Sequence, residues 1–189
     1  MSLAAAFEPL RAALEYAEIR YAIGGSWAST AFGEPRFTND LDILGEFTEQ
    51  NLERFLSSLP DTFYVDAEEA LTAIRRGRSF NAIYLPIVFK VDFFPAAAFA
   101  LGFQELDRAI YLTNTELTKA PVPFVTPEDI VLAKLFWFMS GGESSDVQWR
   151  DIQGILGSCA GSLDRDYMQR AAVKVGILDL LGKALKGLR

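Results

Sequence analysis

Asp40 and Asp42 lie two residues apart, and carboxylates at this spacing can bind a metal ion together. On a β-strand alternate side chains share a face, so the two carboxylates point one way while Leu41 and Ile43 point into the core. Neighbouring carboxylates repel each other and cost stability. A hard divalent cation with oxygen ligands relieves this repulsion. The pattern therefore predicts a Mg²⁺ site, with Mn²⁺ as the alternative ion.

A glycine turn precedes this aspartate pair. Gly24 and Gly25 follow the apolar residues 21–23, which predict a short strand, and Ser26 opens a segment of small residues that indicates one or two helical turns. Glycine lets backbone N–H groups approach a ligand closely, and the first amides of a helix have no partner within it. Because both properties favour an anion, Gly24, Gly25 and Ser26 predict a phosphate-binding turn.

The turn and the aspartate pair together resemble the signature of the nucleotidyltransferase superfamily, the polymerase-beta-like fold. That signature is a hydrophobic residue, Gly-Gly or Gly-Ser, a short spacer, and Asp-hydrophobic-Asp-hydrophobic. Residues 23–26 match its first half and residues 40–43 its second half. The resemblance implies an α/β (α+β) fold, with a mixed β-sheet, flanking helices and a C-terminal helical bundle. It also implies that NMP is transferred from an NTP to an acceptor hydroxyl, with Asp40 and Asp42 as catalytic ligands of two Mg²⁺ ions.

A third acid, Asp92, lies in a strongly apolar segment that predicts a strand. Because an unpaired buried charge is costly, this carboxylate needs a positive partner. The residues leave two alternatives open: a structural ion pair with Lys90 or a nearby arginine, or a place in the metal site. The superfamily has a third carboxylate in a hydrophobic-Asp-hydrophobic context, which residues 91–93 match. The resemblance therefore implies that Asp92 is a catalytic metal ligand that helps to deprotonate the acceptor.

Three further segments resemble the branch of the superfamily that contains abortive-infection toxins. They are Arg36-Phe37-Thr38, residues 126–135 and Arg150-Asp151-Ile152. This resemblance implies a nucleotide-binding set of Gly24, Gly25, Ser26, Arg36, Thr38 and Lys134. It also implies an unidentified acceptor such as an RNA end or a protein, and a cognate antitoxin-like partner. The residues alone leave Arg36 open as an ordinary loop arginine, and Lys134 as a lysine that lies along the surface of an apolar helix.

The amino-acid composition argues against several kinds of catalysis and binding. The 189-residue chain has a formal net charge of −7 and a pI of about 4.7, which disfavours a protein that coats long duplex nucleic acid. It has no histidine, which excludes Ser-His-Asp and Cys-His catalysis. The single cysteine, Cys159, excludes an internal disulfide and a cysteine zinc cage. Because neither a signal peptide nor an apolar run of about 18 residues is apparent, we expect a cytoplasmic protein that makes no membrane contact.

Helix and strand signals predict two domains: a nucleotidyltransferase α/β core over residues 1–125 and a helical bundle over residues 126–189, packed on the core. In the core, apolar runs at 80–85 and 87–94 predict two paired strands, although Leu85-Pro86 between them is poor hairpin chemistry. In the bundle, Thr126 followed by Pro127 indicates a helix start. Later helices are predicted to begin at Ser144 or Ser145 and at Asp164.

The same residues support three hypotheses about function. The first is a Mg²⁺-dependent nucleotidyltransferase with an RNA, protein or small-molecule acceptor. The second, an antibiotic-modifying nucleotidyltransferase, needs the same site. The third is a catalytically inactive binding or regulatory module that keeps the fold. The presence of all three acids argues against the third hypothesis.

Overall fold

Seven strands form one β-sheet in the computed structural model, which describes residues 2–187. The strands are β1 (Tyr21–Ile23), β2 (Asp40–Gly45), β3 (Phe63–Tyr64), β4 (Phe80–Tyr84), β5 (Phe89–Pro95), β6 (Ile110–Thr113) and β7 (Pro121–Phe124). The helices of the described chain are α1 (Leu3–Tyr16), α2 (Gly25–Phe32), α3 (Glu49–Ser58), α4 (Ala67–Arg75), α5 (Gly102–Arg108), α6 (Pro127–Ser140), α7 (Asp146–Ser158), α8 (Arg165–Val175) and α9 (Leu178–Lys186).

The strand order across the sheet is β3-β4-β5-β2-β1-β7-β6. The pairs β2–β5 and β1–β7 are parallel, and the other four pairs are antiparallel. Parallel neighbours need a long crossover connection, and the segment between β2 and β5 contains α3, α4 and two further strands. The mixed α/β fold predicted from the sequence is therefore confirmed.

The described chain divides into two compact units. The first contains the residues up to Ile23 together with Thr38–Phe124, and thus the whole sheet. The second contains Gly24–Phe37 and the described residues from Val125 onward, and thus α2 and α6 to α9. The predicted domain boundary between residues 125 and 126 stays a prediction; the glycine turn and Arg36 belong to the second compact unit.

In the first unit, one face of the central strands lies in an apolar core. The residues of β2 and β5 that point to this face are nearly fully buried: Leu41, Ile43, Val91 and Phe93. The ring of Phe93 packs against Phe80, Phe55 and Phe47, with centroid distances of 4.8, 5.4 and 5.8 Å. Because successive side chains alternate between faces, polar residues of these strands are confined to the other face.

The connection between β4 and β5 is a 3-10 helix, Leu85–Ile87, rather than a tight two-residue turn. Val88 follows it with φ at +51°, a conformation that is uncommon for a β-branched residue. The strands nevertheless pair, with Tyr84 opposite Phe89. The predicted strand pair is present, and the poor hairpin chemistry of Leu85-Pro86 is accommodated by a longer connection.

In the second unit, the predicted helix starts are found. The side chains of Thr126, Ser145 and Asp164 each accept a backbone N–H hydrogen bond at the start of α6, α7 and α8. Helix α2 packs against α6 and α7, and the approach is close: a Cβ at Gly33 would lie 3.0 Å from the backbone nitrogen of Ile155. No helix within residues 2–187 has both the length and the apolar character needed to cross a bilayer.

Candidate active site

The acids of β2 and β5 share the face opposite the apolar core. Asp42 is the register partner of Asp92 in this parallel pair, and Asp40 is the register partner of Lys90. Register partners on neighbouring strands point to the same face, so the three carboxylates and one ammonium group lie together. Each acid is half-buried, and the strand residues beside the acids, Leu41, Ile43, Val91 and Phe93, are nearly fully buried. We call Asp40, Asp42, Lys90 and Asp92 the acid face.

Lys90 is a positive partner within the acid face. Its Nζ lies 2.8 Å from Oδ1 of Asp92, and the two side chains are 50% and 17% exposed. The hydrogen bond to Asp92 raises the pKa of the Lys90 ammonium, partial burial opposes this, and the negative charges of Asp92, Asp40 and Asp42 add to the rise. The ion pair that the sequence left open as an alternative for Asp92 is therefore present.

Thr38 orients a carboxylate of the acid face. Its Oγ1 donates a hydrogen bond of 2.6 Å to Oδ1 of Asp40. A threonine hydroxyl has only one hydrogen to donate, and Thr38 donates it to Asp40. Thr38, predicted as part of the nucleotide-binding set, thus acts on the aspartate pair in this structure.

The acid face has the donor chemistry for a divalent cation without forming a finished cage. Within residues 2–187, no three Asp, Glu, Cys or His side chains are arranged to hold an ion between them. The carboxylate of Asp92 faces Lys90 instead. Carboxylate oxygens are nevertheless the ligands that Mg²⁺ prefers, and the backbone register places Asp42 directly opposite Asp92. Residue types and register therefore fit a metal site, which Asp92 would join on release from Lys90.

The predicted phosphate-binding turn forms the start of α2 in the second unit. Gly24 precedes the helix with extended backbone, at φ −116° and ψ −152°, and Gly25 opens it with φ at +53°. Glycine adopts this left-handed conformation readily, and other residues do so at a cost. The N–H groups of the first turn have no acceptor within the helix. The glycine conformation and the helix start are those of the predicted turn, and phosphate binding there stays a prediction.

Arg36 and Lys134 converge on one buried carboxylate, that of Asp151. The Nε of Arg36 lies 3.1 Å from Oδ1 of Asp151, and the Nζ of Lys134 lies 2.9 Å from Oδ2. Arg36 also donates to the hydroxyl of Ser26 at the start of α2. The side chains of Asp151 and Lys134 are only 6% and 11% exposed. These two cations and one carboxylate leave one excess positive charge next to Ser26, which favours an anionic ligand. We call Arg36, Lys134 and Asp151 the cation pair and its carboxylate.

This arrangement bears on two alternatives that the residues left open, and the nucleotide-binding role of Arg36 and Lys134 stays a prediction. Lys134 is enclosed and ion-paired, so its interpretation as a lysine along the helix surface is wrong. Arg36 is held through its guanidinium by Asp151 and Ser26 and is not an ordinary loop arginine. Asp151 was absent from the predicted site. The signal that could have found it was the Arg150-Asp151-Ile152 segment, with an acid on a face of α7 that is otherwise apolar.

The predicted site residues fall into two groups, each within one compact unit. The first unit contains Thr38, Asp40, Asp42 and Asp92, and the second contains Gly24, Gly25, Ser26, Arg36 and Lys134. In the first group the structure brings together the three acids with Thr38. In the second group it brings together Ser26, Arg36 and Lys134.

The chain is similar in fold to a solved nucleotidyltransferase-like protein. An antigenic nucleotidyltransferase-like protein from Paracoccidioides brasiliensis is 20% identical over 98% of this chain and 92% of that chain, with a TM-score of 0.59. Lower TM-scores of 0.46 and 0.41 are found for the antibiotic-resistance factor ANT(2'')-Ia (19% identity, 95% and 90% coverage) and for JHP933 from Helicobacter pylori (13% identity, 98% and 93% coverage). No protein-family model matches the chain, and neither does any curated protein. The first comparison shows a nucleotidyltransferase-like fold; the toxin branch stays a prediction.

Proposed function

We propose that this chain is a Mg²⁺- or Mn²⁺-dependent nucleotidyltransferase, which moves a nucleoside monophosphate from an NTP to an acceptor hydroxyl. The observation that carries the proposal is the register of β2 and β5, which sets Asp42 opposite Asp92 with Asp40 on the same face. Like charges at facing positions destabilise a sheet. Lys90 offsets one of the three negative charges, so the acid face retains an excess that a divalent cation would neutralise.

Asp40, Asp42 and Asp92 are the proposed metal ligands. Bound Mg²⁺ would supply stabilisation of the charge that develops on the attacking and leaving oxygens. Thr38 has a supporting role, because its hydrogen bond holds one oxygen of Asp40 in place.

Asp92 is the proposed base. Its carboxylate takes the proton of the acceptor hydroxyl, the acceptor oxygen bonds to the α-phosphorus, and the bond from that phosphorus to the bridging oxygen of the β-phosphate breaks. Pyrophosphate leaves. The chain has no histidine, and a lysine side chain is ordinarily protonated at neutral pH, so Lys90 is a poor proton acceptor. A carboxylate is the remaining base on the acid face.

The glycine turn, Arg36 and Lys134 are the proposed triphosphate ligands. Backbone amides at Gly25 and Ser26 would donate to β- and γ-phosphate oxygens, and the two cations would neutralise the rest of the charge. Asp151 is ion-paired with both cations and orients them. Because preoriented charges need no reorganisation when the reaction occurs, they stabilise a transition state more than mobile charges do.

The ion pair between Lys90 and Asp92 favours a second hypothesis, a catalytically inactive module of the same fold. In that case Lys90 would be a permanent substitute for a metal ion, and the acid face would have a structural role. The two hypotheses differ in what they expect of Asp42. An enzyme loses transfer when Asp42 is changed, whereas an inactive module has no transfer to lose.

The resemblance to abortive-infection toxins leads us to propose an RNA end or a protein as acceptor, with a cognate antitoxin-like partner; a small molecule such as an antibiotic is the other class. The test incubates the protein with each NTP labelled at the α-phosphate, Mg²⁺ and a cell lysate, followed by separation of RNA, protein and small molecules. We expect label in one fraction with wild type and none with Asp42→Asn. Equal labelling by the two proteins in every fraction would refute the enzyme and leave the inactive module.

A further inference from the structure

We infer that Lys90 competes with a divalent cation for Asp92, and that this competition sets how tightly the protein binds metal. The inference rests on the proposed metal site of the acid face and assigns a role to a residue that the proposed reaction leaves unused. Lys90 is a positioning residue in this account, because it acts through Asp92 and touches no substrate.

The position of Lys90 carries the inference. It lies two residues before Asp92 on the same strand and directly opposite Asp40 on β2, so its ammonium group has carboxylates along and across the sheet. Its Nζ is 2.8 Å from Asp92. On the other side of β5, the register partners of Lys90 and Asp92 are Ile83 and Asn81, which are uncharged. Across both strands that flank β5, Lys90 is therefore the cation at these register positions.

Charge and exposure make an exchange feasible. Three carboxylates and one ammonium give the acid face a net charge of −2, so a divalent cation is still attracted. A cation bound at Asp92 and the ammonium would repel each other at close range. The Lys90 side chain is half exposed, and a lysine has a flexible stem with a strongly hydrated head. Its ammonium can therefore move into water when a metal ion takes Asp92.

Two consequences follow for a protein without metal. Lys90 stabilises the fold by neutralising part of the acid face, and it weakens metal binding by occupying one ligand. Removing the ammonium should therefore lower stability in chelator and raise metal affinity. A lysine with only a structural role would lower stability without raising the affinity for metal.

The test is calorimetric titration of Mn²⁺ into wild type and Lys90→Met at one pH and ionic strength. We expect Lys90→Met to bind Mn²⁺ about tenfold more tightly, to melt at a lower temperature in chelator and to gain more from added Mn²⁺. Lys119→Met removes an exposed lysine of the same unit and should bind Mn²⁺ like wild type. Lys90→Arg keeps the positive charge and should also stay near wild type.

A second pair of variants separates competition for Asp92 from a general effect of charge. In an Asp92→Asn background, Lys90→Met should give a much smaller gain in Mn²⁺ affinity, because the contested carboxylate is absent. Equal gains in the two backgrounds would refute the competition. If Lys90→Met unfolds in chelator, recovery of the fold on addition of Mn²⁺ supports the inference, and failure to recover refutes it.

The outcomes also distinguish this inference from the proposed function. If wild type binds Mn²⁺ and Lys90→Met binds it no more tightly, the inference of competition is wrong, while the proposal of a metal site is still supported. If neither wild type nor folded Lys90→Met binds Mn²⁺, the proposal of a metal site is wrong, and the inference of competition is then wrong as well.

Discussion

The substitution with the clearest expected effect on stability is at Asp151, a buried carboxylate that is ion-paired with both Arg36 and Lys134. Asp151→Asn keeps the size of the side chain and one oxygen acceptor but removes the negative charge. Lys134, whose side chain is 11% exposed, would then be a buried ammonium without a carboxylate. Arg36 would keep its hydrogen bond to the hydroxyl of Ser26. Asp151→Asn therefore lowers the stability mainly because Lys134 loses its carboxylate partner.

The magnitude follows from how much of this network is shielded from water. Removing one partner of a buried ion pair costs about 3–5 kcal/mol. The Arg36 side chain is 34% exposed, so that part of the network is screened, and the asparagine oxygen still accepts one hydrogen bond. We therefore expect a loss of about 2–3 kcal/mol in the free energy of unfolding. For a chain of this size that corresponds to a fall of roughly 4–12 °C in Tm.

The assay is thermal unfolding followed by circular dichroism in phosphate-free buffer. Asp146→Asn is the matched control, because Asp146 is an exposed acid in the first turn of the same helix. Added inorganic phosphate should stabilise Asp151→Asn more than wild type, because an anion takes the place of the lost carboxylate. A Tm for Asp151→Asn equal to that of wild type or of Asp146→Asn would refute the reasoning.

Three further predictions test other parts of the structure. Gly25→Ala should cost about 1–2 kcal/mol because of its left-handed φ, and a Tm equal to that of wild type would contradict the assigned turn. Phe93→Ala should cost about 3–5 kcal/mol in urea unfolding, and a loss below 1 kcal/mol would mean that the aromatic core is misplaced. Burial and the charge of Glu128 raise the pKa of the Cys159 thiol, so less thiolate is present at pH 8. Its labelling by a thiol reagent should be slower in the native protein than in denaturant, and equal rates would contradict this environment.

Within each strand the acid face was predictable because that geometry is local, whereas the parallel register that sets Asp42 opposite Asp92 joins distant parts of the chain. Alternation along a strand places Asp40 and Asp42 together whatever the rest of the chain does. The apolar neighbours of Asp92 likewise marked it as a carboxylate that needs a positive partner. What periodicity could not decide was which partner Asp92 has, since Lys90 and a metal ion both satisfy it. The ion pair at 2.8 Å identifies Lys90 as a partner of Asp92.

The cation pair and its carboxylate were not predictable by the same reasoning. Arg36 and Asp151 are 115 residues apart in the chain, and no local pattern links a loop arginine to an acid on a distant helix. The same limit applies to residues 24–37. Their small side chains indicated a short helix, but its packing against α6 and α7 depends on close approach at Gly33. Tertiary contacts of this kind are not encoded in spacing or propensity.

The central claim is the transfer of a nucleoside monophosphate at the acid face, and the position of an isotopic label tests it most directly. Parallel reactions with Mg²⁺ and acceptor contain NTP labelled at either the α- or the γ-phosphate. The account predicts that α-label becomes covalently attached to the acceptor while γ-label appears only in pyrophosphate, and that Asp42→Asn, but not Asp146→Asn, abolishes both. Attachment of γ-label to the acceptor, or equal α-label attachment by wild type and Asp42→Asn, would contradict it.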